Sequence, residues 1–282
     1  MSMEEPANKF EASRHARRQL RGADLAKPLV PLAVGMIVLA LWQGLTQYYH
    51  VSPIVLPSPL AIAHALVTHW RQLLFASWTT LSITLAAFVL AVIGGVALAV
   101  LFSLSKLLEH ALYPYAIVLQ VTPVIAIAPI ITIWIGYDRI DLVLLVLAWI
   151  VAFFPILANT TLGLRSADHN LIDLMRLYGA NRWQILTRLQ LPTALPFLVS
   201  AMKVSGGLAL IGTVVAEFAA GTGTATGLAW TITLATRNLQ MAEAFAALTL
   251  LSLLGIALFF SLSALEWLLL RRWHESALKK IQ

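Results

Sequence analysis

Residues 80–104 read TLSITLAAFVLAVIGGVALAVLFSL. No formally charged residue interrupts the longer run from Gln72 to Ser105. A helix rises about 1.5 Å per residue, so about 20 apolar residues cross a hydrocarbon core of about 30 Å. The stretch is therefore predicted to span a membrane, and that reading sets the solvent for the rest of the chain. Composition agrees. Of 282 residues, 60% are hydrophobic and 11% charged, whereas a soluble domain carries about 25% charged residues.

Working outward, five further runs fit spans. They are LVPLAVGMIVLALWQGL at 29–45, a run between His110 and Tyr137, LVLLVLAWIVAFFPILANTTLGL at 142–164, FLVSAMKVSGGLALIGTVVA at 197–216, and a last run from near Ala244 to near Glu266. The first is read as a retained helix rather than a cleaved leader, because no small-x-small site follows it. Residues 51–59 carry three prolines and are predicted extended, with a short surface helix over 60–74. The expected fold is an all-α membrane protein with six transmembrane helices.

The basic residues support this alternation. Of nineteen Lys and Arg, fifteen fall in the tail before the first span, beside Lys106, between spans four and five, and after span six. Arg71, Arg139 and Arg237 fall on the other side, and Lys203 lies inside span five. The positive-inside rule then puts both termini in the cytoplasm. In so apolar a chain the net charge of +6 reads as membrane orientation, not nucleic-acid binding.

Several chemistries are excluded. With no cysteine there is no disulfide scaffold, thiolate metal site or cysteine nucleophile. HExxH and GxSxG are absent, so no catalytic, cofactor-binding or metal-binding residue is assigned. The glycine-spaced GTGTATG at 221–227 lacks the GKS or GKT ending of a phosphate loop and is read as a flexible or re-entrant connection. Few ionisable groups fall within the spans, which disfavours a proton-coupled carrier.

Two features suggest a path. The third span carries Pro114, Pro123 and Pro129. It either packs as a kinked helix or borders water, with Gln120 and Thr122 facing it. Glu217 sits at the end of span five, facing either headgroups or a polar contact at the path or a facing subunit.

The connection DLMRLYGANRWQILTRLQLP, 173–192, holds three arginines, one aspartate and one glycine. Ser166 or Asp168 can cap a helix over 169–178, with Leu171, Leu174, Met175 and Tyr178 as an apolar stripe. Gly179 fits a left-handed helix end. Asn181 can cap a second helix that closes near Pro192. A helix–Gly–helix hairpin results, read as a docking element for a cytoplasmic partner or as a surface hairpin.

These residues resemble the EAA motif of bacterial ABC importer membrane subunits, which runs Glu-Ala-Ala, three residues, Gly, nine residues, Ile-x-Leu-Pro. Gly179 stands as the glycine and Leu189-Gln190-Leu191-Pro192 as the ending. Asp173 stands at the Glu position, and Leu174 and Met175 replace the alanines. VLPSP (55–59), AIAPIITIWIG (126–136), NTTLGLRS (159–166), GANRWQI (179–185) and VVAEF (214–218) are similar to the nitrate/sulfonate/taurine-type permeases over about residues 29–275.

The resemblance implies a cytoplasmic tail over 1–28, a permease domain over 29–270 with its coupling hairpin at 166–192, and a cytoplasmic tail over 271–282. It implies ATPase contacts at Asp173, Leu174, Met175, Arg176, Gly179, Ala180, Arg182, Leu189, Leu191 and Pro192. It also implies a second copy of the permease, two cytoplasmic ATPases that carry ATP and Mg, and an external solute-binding protein, at the bacterial inner membrane. The solute would be small and polar or anionic. A carrier or channel not driven by ATP is the competing expectation.

Overall fold

Proline and the small residues decide where the helices break and where they touch. The computed structural model describes residues 30–220 and 226–271. The predicted tail 1–28, all of the predicted tail 271–282 after Arg271, and most of the glycine-spaced stretch lie outside these. Contacts divide the chain into two compact units, Met1–His64 and Ala65–Gln282.

In the first unit, α1 (Val30–Tyr48) is exposed along nearly all its length, and only Thr46 is buried. Residues 51–58 form no helix. The Leu60 amide donates to Gln43 Oε1 at 3.1 Å, tying this loop back to α1. α2 (Pro59–Thr68) starts with proline at its first helical position, where the missing N–H costs nothing, and the Ala61 amide donates to Ser58 Oγ.

The second unit is helical throughout, with no strand among the described residues. It comprises α3 (Trp70–Leu104), α4 (Lys106–Val121), α5 (Val124–Ile135), a 3₁₀ turn (Tyr137–Arg139), α6 (Ile140–Arg165), α7 (His169–Leu177), α8 (Arg182–Ile185), a π turn (Leu186–Gln190), α9 (Leu191–Ala220), α10 (Leu228–Arg237) and α11 (Met241–Leu270). The second span is longer than its apolar run. At 35 residues, α3 is roughly 50 Å long, and the surface helix before it ends at Thr68 rather than 74.

α6 and α9 form the centre, and α3 packs on α6. Close approach needs small residues, because lipid gives apolar helices no hydrophobic reason to associate. A Cβ on Gly163 would lie 2.9 Å from Ala194 Cα, and one on Gly212 would lie 3.0 Å from Ala148 Cα. One core joins Phe88, Phe102, Phe153, Leu157, Leu186 and Ala209. The other joins Ile83, Ala128, Leu144, Leu147 and Ala216. Lys203, the one cation expected inside a span, pairs with Glu266 of α11 at 3.1 Å.

The predicted third span is not one kinked helix. α4 and α5 meet at 105°, and the break falls at Thr122–Pro123. Proline pushes its predecessor out of the α region, and Thr122 sits at φ −72°, ψ 123°. Pro114 and Pro129 remain inside their helices. By length and composition, α1, α3, α6 with its 3₁₀ turn, α8–α9 and α11 can each cross a membrane. The bent pair makes a sixth if it counts as one span.

Candidate functional site

The hairpin between α6 and α9 is built from local capping chemistry. The Ser166 hydroxyl donates back to Gly163 O at 2.8 Å and closes α6. Asp168 opens α7, with Oδ1 accepting from the Asn170 amide at 2.8 Å. Gly179 takes φ +77°. The Gly179 amide donates to Arg176 O and the Ala180 amide to Met175 O, both at 2.9 Å. This pair of bonds is a Schellman ending, which uses carbonyls that a helix end leaves free. Asn181 then forms a capping box with Gln184, each side chain accepting from the other's amide at 2.8 Å. Four residues of α8 follow.

The second hairpin helix does not end near Pro192. It runs through the π turn into α9, and Pro192 sits in the first turn of α9. Proline has no amide to donate, so the ladder must change register around it. The Leu191 amide reaches back five residues to Leu186 O. Ile185 and Leu186 are buried and fasten the hairpin to the core, while Leu189, Leu191 and Pro192 are half-buried.

The stripe on α7 faces mostly outward. Leu171, Leu174 and Tyr178 are exposed, as are Leu177 at 85% and Trp183 at 59%. Ile172 and Met175 are the half-buried members. Leu174, Met175, Tyr178, Gly179, Ala180 and Arg188 border a hollow of about 310 Å³. Asp173 pairs with Arg176 at 3.1 Å, and both side chains are exposed, so the pair adds little stability. Arg176 and Arg182 line a second hollow against the α3–α4 turn, where Arg182 Nη1 donates to Leu104 O at 3.3 Å.

The three path candidates are not gathered. Gln120 is exposed near the end of α4. The Thr122 hydroxyl donates to Val118 O at 2.6 Å, closing α4 at its break. Glu217 is fully buried and so does not face headgroups. Its Oε1 accepts from Thr80 Oγ1 at 2.7 Å. Its Oε2 accepts from the Ala229 amide at 2.8 Å and the Trp230 amide at 3.4 Å. Thr80 in turn accepts from the Leu228 amide at 2.9 Å. A carboxylate on α9 and a hydroxyl on α3 thus cap the first turn of α10, the task an N-cap side chain does locally. The sequence reading missed α10, Thr80 and Gly227. The one signal was a glycine, and a Cβ there would collide with the Glu217 carboxylate.

Comparisons place this arrangement among known proteins. Residues 91–274 match the family of binding-protein-dependent transport system inner membrane components. The chain is 35% identical over 247 residues to the riboflavin transport system permease protein RibX of Chloroflexus aurantiacus, covering 86% of this chain and 88% of that one. It is 30% identical over 243 residues to the formylaminopyrimidine transport permease protein ThiX of Halalkalibacterium halodurans, covering 86% and 95%. The taurine transport system permease protein TauC of Escherichia coli is 26% identical over 258 residues, covering 87% and 90%. Among solved structures, the MetNI methionine ABC transporter in an inward-facing conformation has a chain with TM-score 0.57 and 19% identity, covering 71% of this chain and 96% of that one. An amino acid ABC transporter crystallised with histidines gives 0.60 and 16%, covering 73% and 96%. At these identities the structures speak for the fold.

Proposed function

This chain belongs to the binding-protein-dependent transport system inner membrane components and is a permease subunit of an ABC importer; we propose that its α7–α8 hairpin is the seat of the ATPase that drives it. The observation that carries the reading is the apolar face of α7. Leu174, Leu177 and Tyr178 are exposed on an element outside the apolar spans. An amphipathic helix with an uncovered apolar face seats in a groove on a partner. The Schellman ending and capping box hold that face at a fixed angle, and Ile185 and Leu186 pass its displacement to α9 and the core. ATP and Mg belong to the partner.

The working assembly is two copies of this permease, two cytoplasmic ATPases and an external solute-binding protein, with both termini of the permease in the cytoplasm. The hairpin is then cytoplasmic, and the path runs between the two copies. The solute is a small polar or anionic molecule, in line with the riboflavin, formylaminopyrimidine and taurine named for the relatives. A carrier independent of ATP is not favoured.

Leu177→Asp tests the docking. Leu177 makes almost no contact within its own subunit, so the variant is expected to insert and elute like wild type. A charge in a buried groove should cost the ATPase most of its affinity, so co-purification and ATP-driven uptake in liposomes are expected to fall together. A Leu177→Asp permease that keeps its ATPase and transports normally removes α7 from the interface.

A further inference from the structure

Three cations from three elements converge on one cavity. Lys106 begins α4, Arg176 lies on α7 and Arg182 begins α8, and together they line a space of about 460 Å³. Ser103 and Ser105 of the α3–α4 turn contribute hydroxyls, and Ile172 and Ile185 contribute apolar surface. No carboxylate lines it. Asp173 takes up part of the Arg176 charge, and Glu109, three residues beyond Lys106, is committed to Arg165. Among the described residues Lys106 and Arg182 have no carboxylate partner. Gathering like charges is unfavourable unless an anion sits among them. Two guanidiniums with an ammonium suit phosphate oxygens, because the planar fork grips two oxygens at once.

We propose that this cavity holds the phosphate of an anionic phospholipid from the inner leaflet. The surroundings favour lipid over a free anion. Leu101, near the end of α3, and Leu107, beside Lys106, are 46% and 79% exposed, so apolar surface for acyl chains adjoins the cations. Basic pockets between membrane helices on the cytoplasmic side take such headgroups. The inference rests on the hairpin being cytoplasmic, which puts the cavity at that leaflet. A bound phosphate would tie the hairpin's arginines to the α3–α4 turn and brace the docking element from behind.

The test uses the permease–ATPase complex in nanodiscs of mixed phosphatidylglycerol and phosphatidylcholine, with retained lipid read by native mass spectrometry. Wild type is expected to retain phosphatidylglycerol preferentially. Lys106→Gln and Arg182→Gln should each cut that preference roughly fivefold, while Lys106→Arg, which keeps the charge, should preserve it. Inorganic phosphate in excess should not displace the lipid. Absence of a preference, or a preference indifferent to Lys106→Gln, overturns the inference. Displacement by inorganic phosphate assigns the cavity to a free anion and overturns the lipid source. A preference seen in the permease alone but lost on adding the ATPase means that a partner carboxylate fills the cavity, which also overturns it. ATPase recovered without any lipid preference defeats this inference and leaves the docking reading standing. An unaffected Leu177→Asp complex defeats the docking reading while the lipid measurement stands by itself.

Discussion

At Gly227 a single methyl group would strike the Glu217 carboxylate, so the smallest substitution there should act like damage to Glu217 itself. The carboxylate accepts from Thr80, Ala229 and Trp230 in a fully buried place. Glu217→Ala strands two backbone donors, at about 1–3 kcal/mol for each group left unpaired. The expected outcome is a lower melting midpoint in detergent for Glu217→Ala and for Gly227→Ala. Glu217→Gln should fall between these and wild type, since its amide keeps one acceptor oxygen but points a donor at donors. Equal midpoints for all four proteins would show that α10 does not depend on this cap. A charged residue near the end of a span was legible in the sequence. Its partner was not, because the helix it caps begins eleven residues later and the hydroxyl beside it comes from α3. Capping across elements leaves no local spacing to read.

The hairpin shows what a single element discloses. Asp168, Gly179 and Asn181 act within a few residues of themselves, so their roles could be read in order along the chain. The direction of the α7 stripe could not. Periodicity says that Leu171, Leu174 and Tyr178 share a face, but not whether that face meets the protein or a partner. The break at Pro123 was visible only as one of three prolines, since Pro114 and Pro129 sit in helices that continue. Gly179→Leu probes the hairpin's shape apart from its apolar face. A Cβ there meets nothing within 4 Å, so the penalty is the left-handed backbone alone, about 1–2 kcal/mol. That is small against folding and comparable to about tenfold in affinity. A folded permease with about tenfold weaker ATPase association is expected, measured by titrating purified ATPase onto permease in nanodiscs. Unchanged affinity would mean that the turn's angle does not matter to docking.

For the whole molecule, the number of membrane crossings hinges on the bent pair α4–α5. Before Leu177 the chain passes through α1, α3, the bent pair and α6. If the pair returns to its starting side, three crossings separate the N-terminal tail from the hairpin, and the two lie on opposite faces. If the pair counts as one span, four crossings put them on the same face, as the fifteen basic residues and the positive-inside rule require. Cysteine is absent from the chain, so single introduced thiols report without background. Lys9→Cys samples the tail, Val55→Cys samples the exposed loop after α1, and Leu177→Cys samples the exposed tip of α7. In intact cells a membrane-impermeant maleimide is expected to label Val55→Cys and to spare Lys9→Cys and Leu177→Cys until the cells are opened. Labelling of Leu177→Cys alongside Val55→Cys would mean that α4–α5 does not cross. The hairpin would then face away from ATP, and its place as the ATPase seat would be lost along with the sixth span.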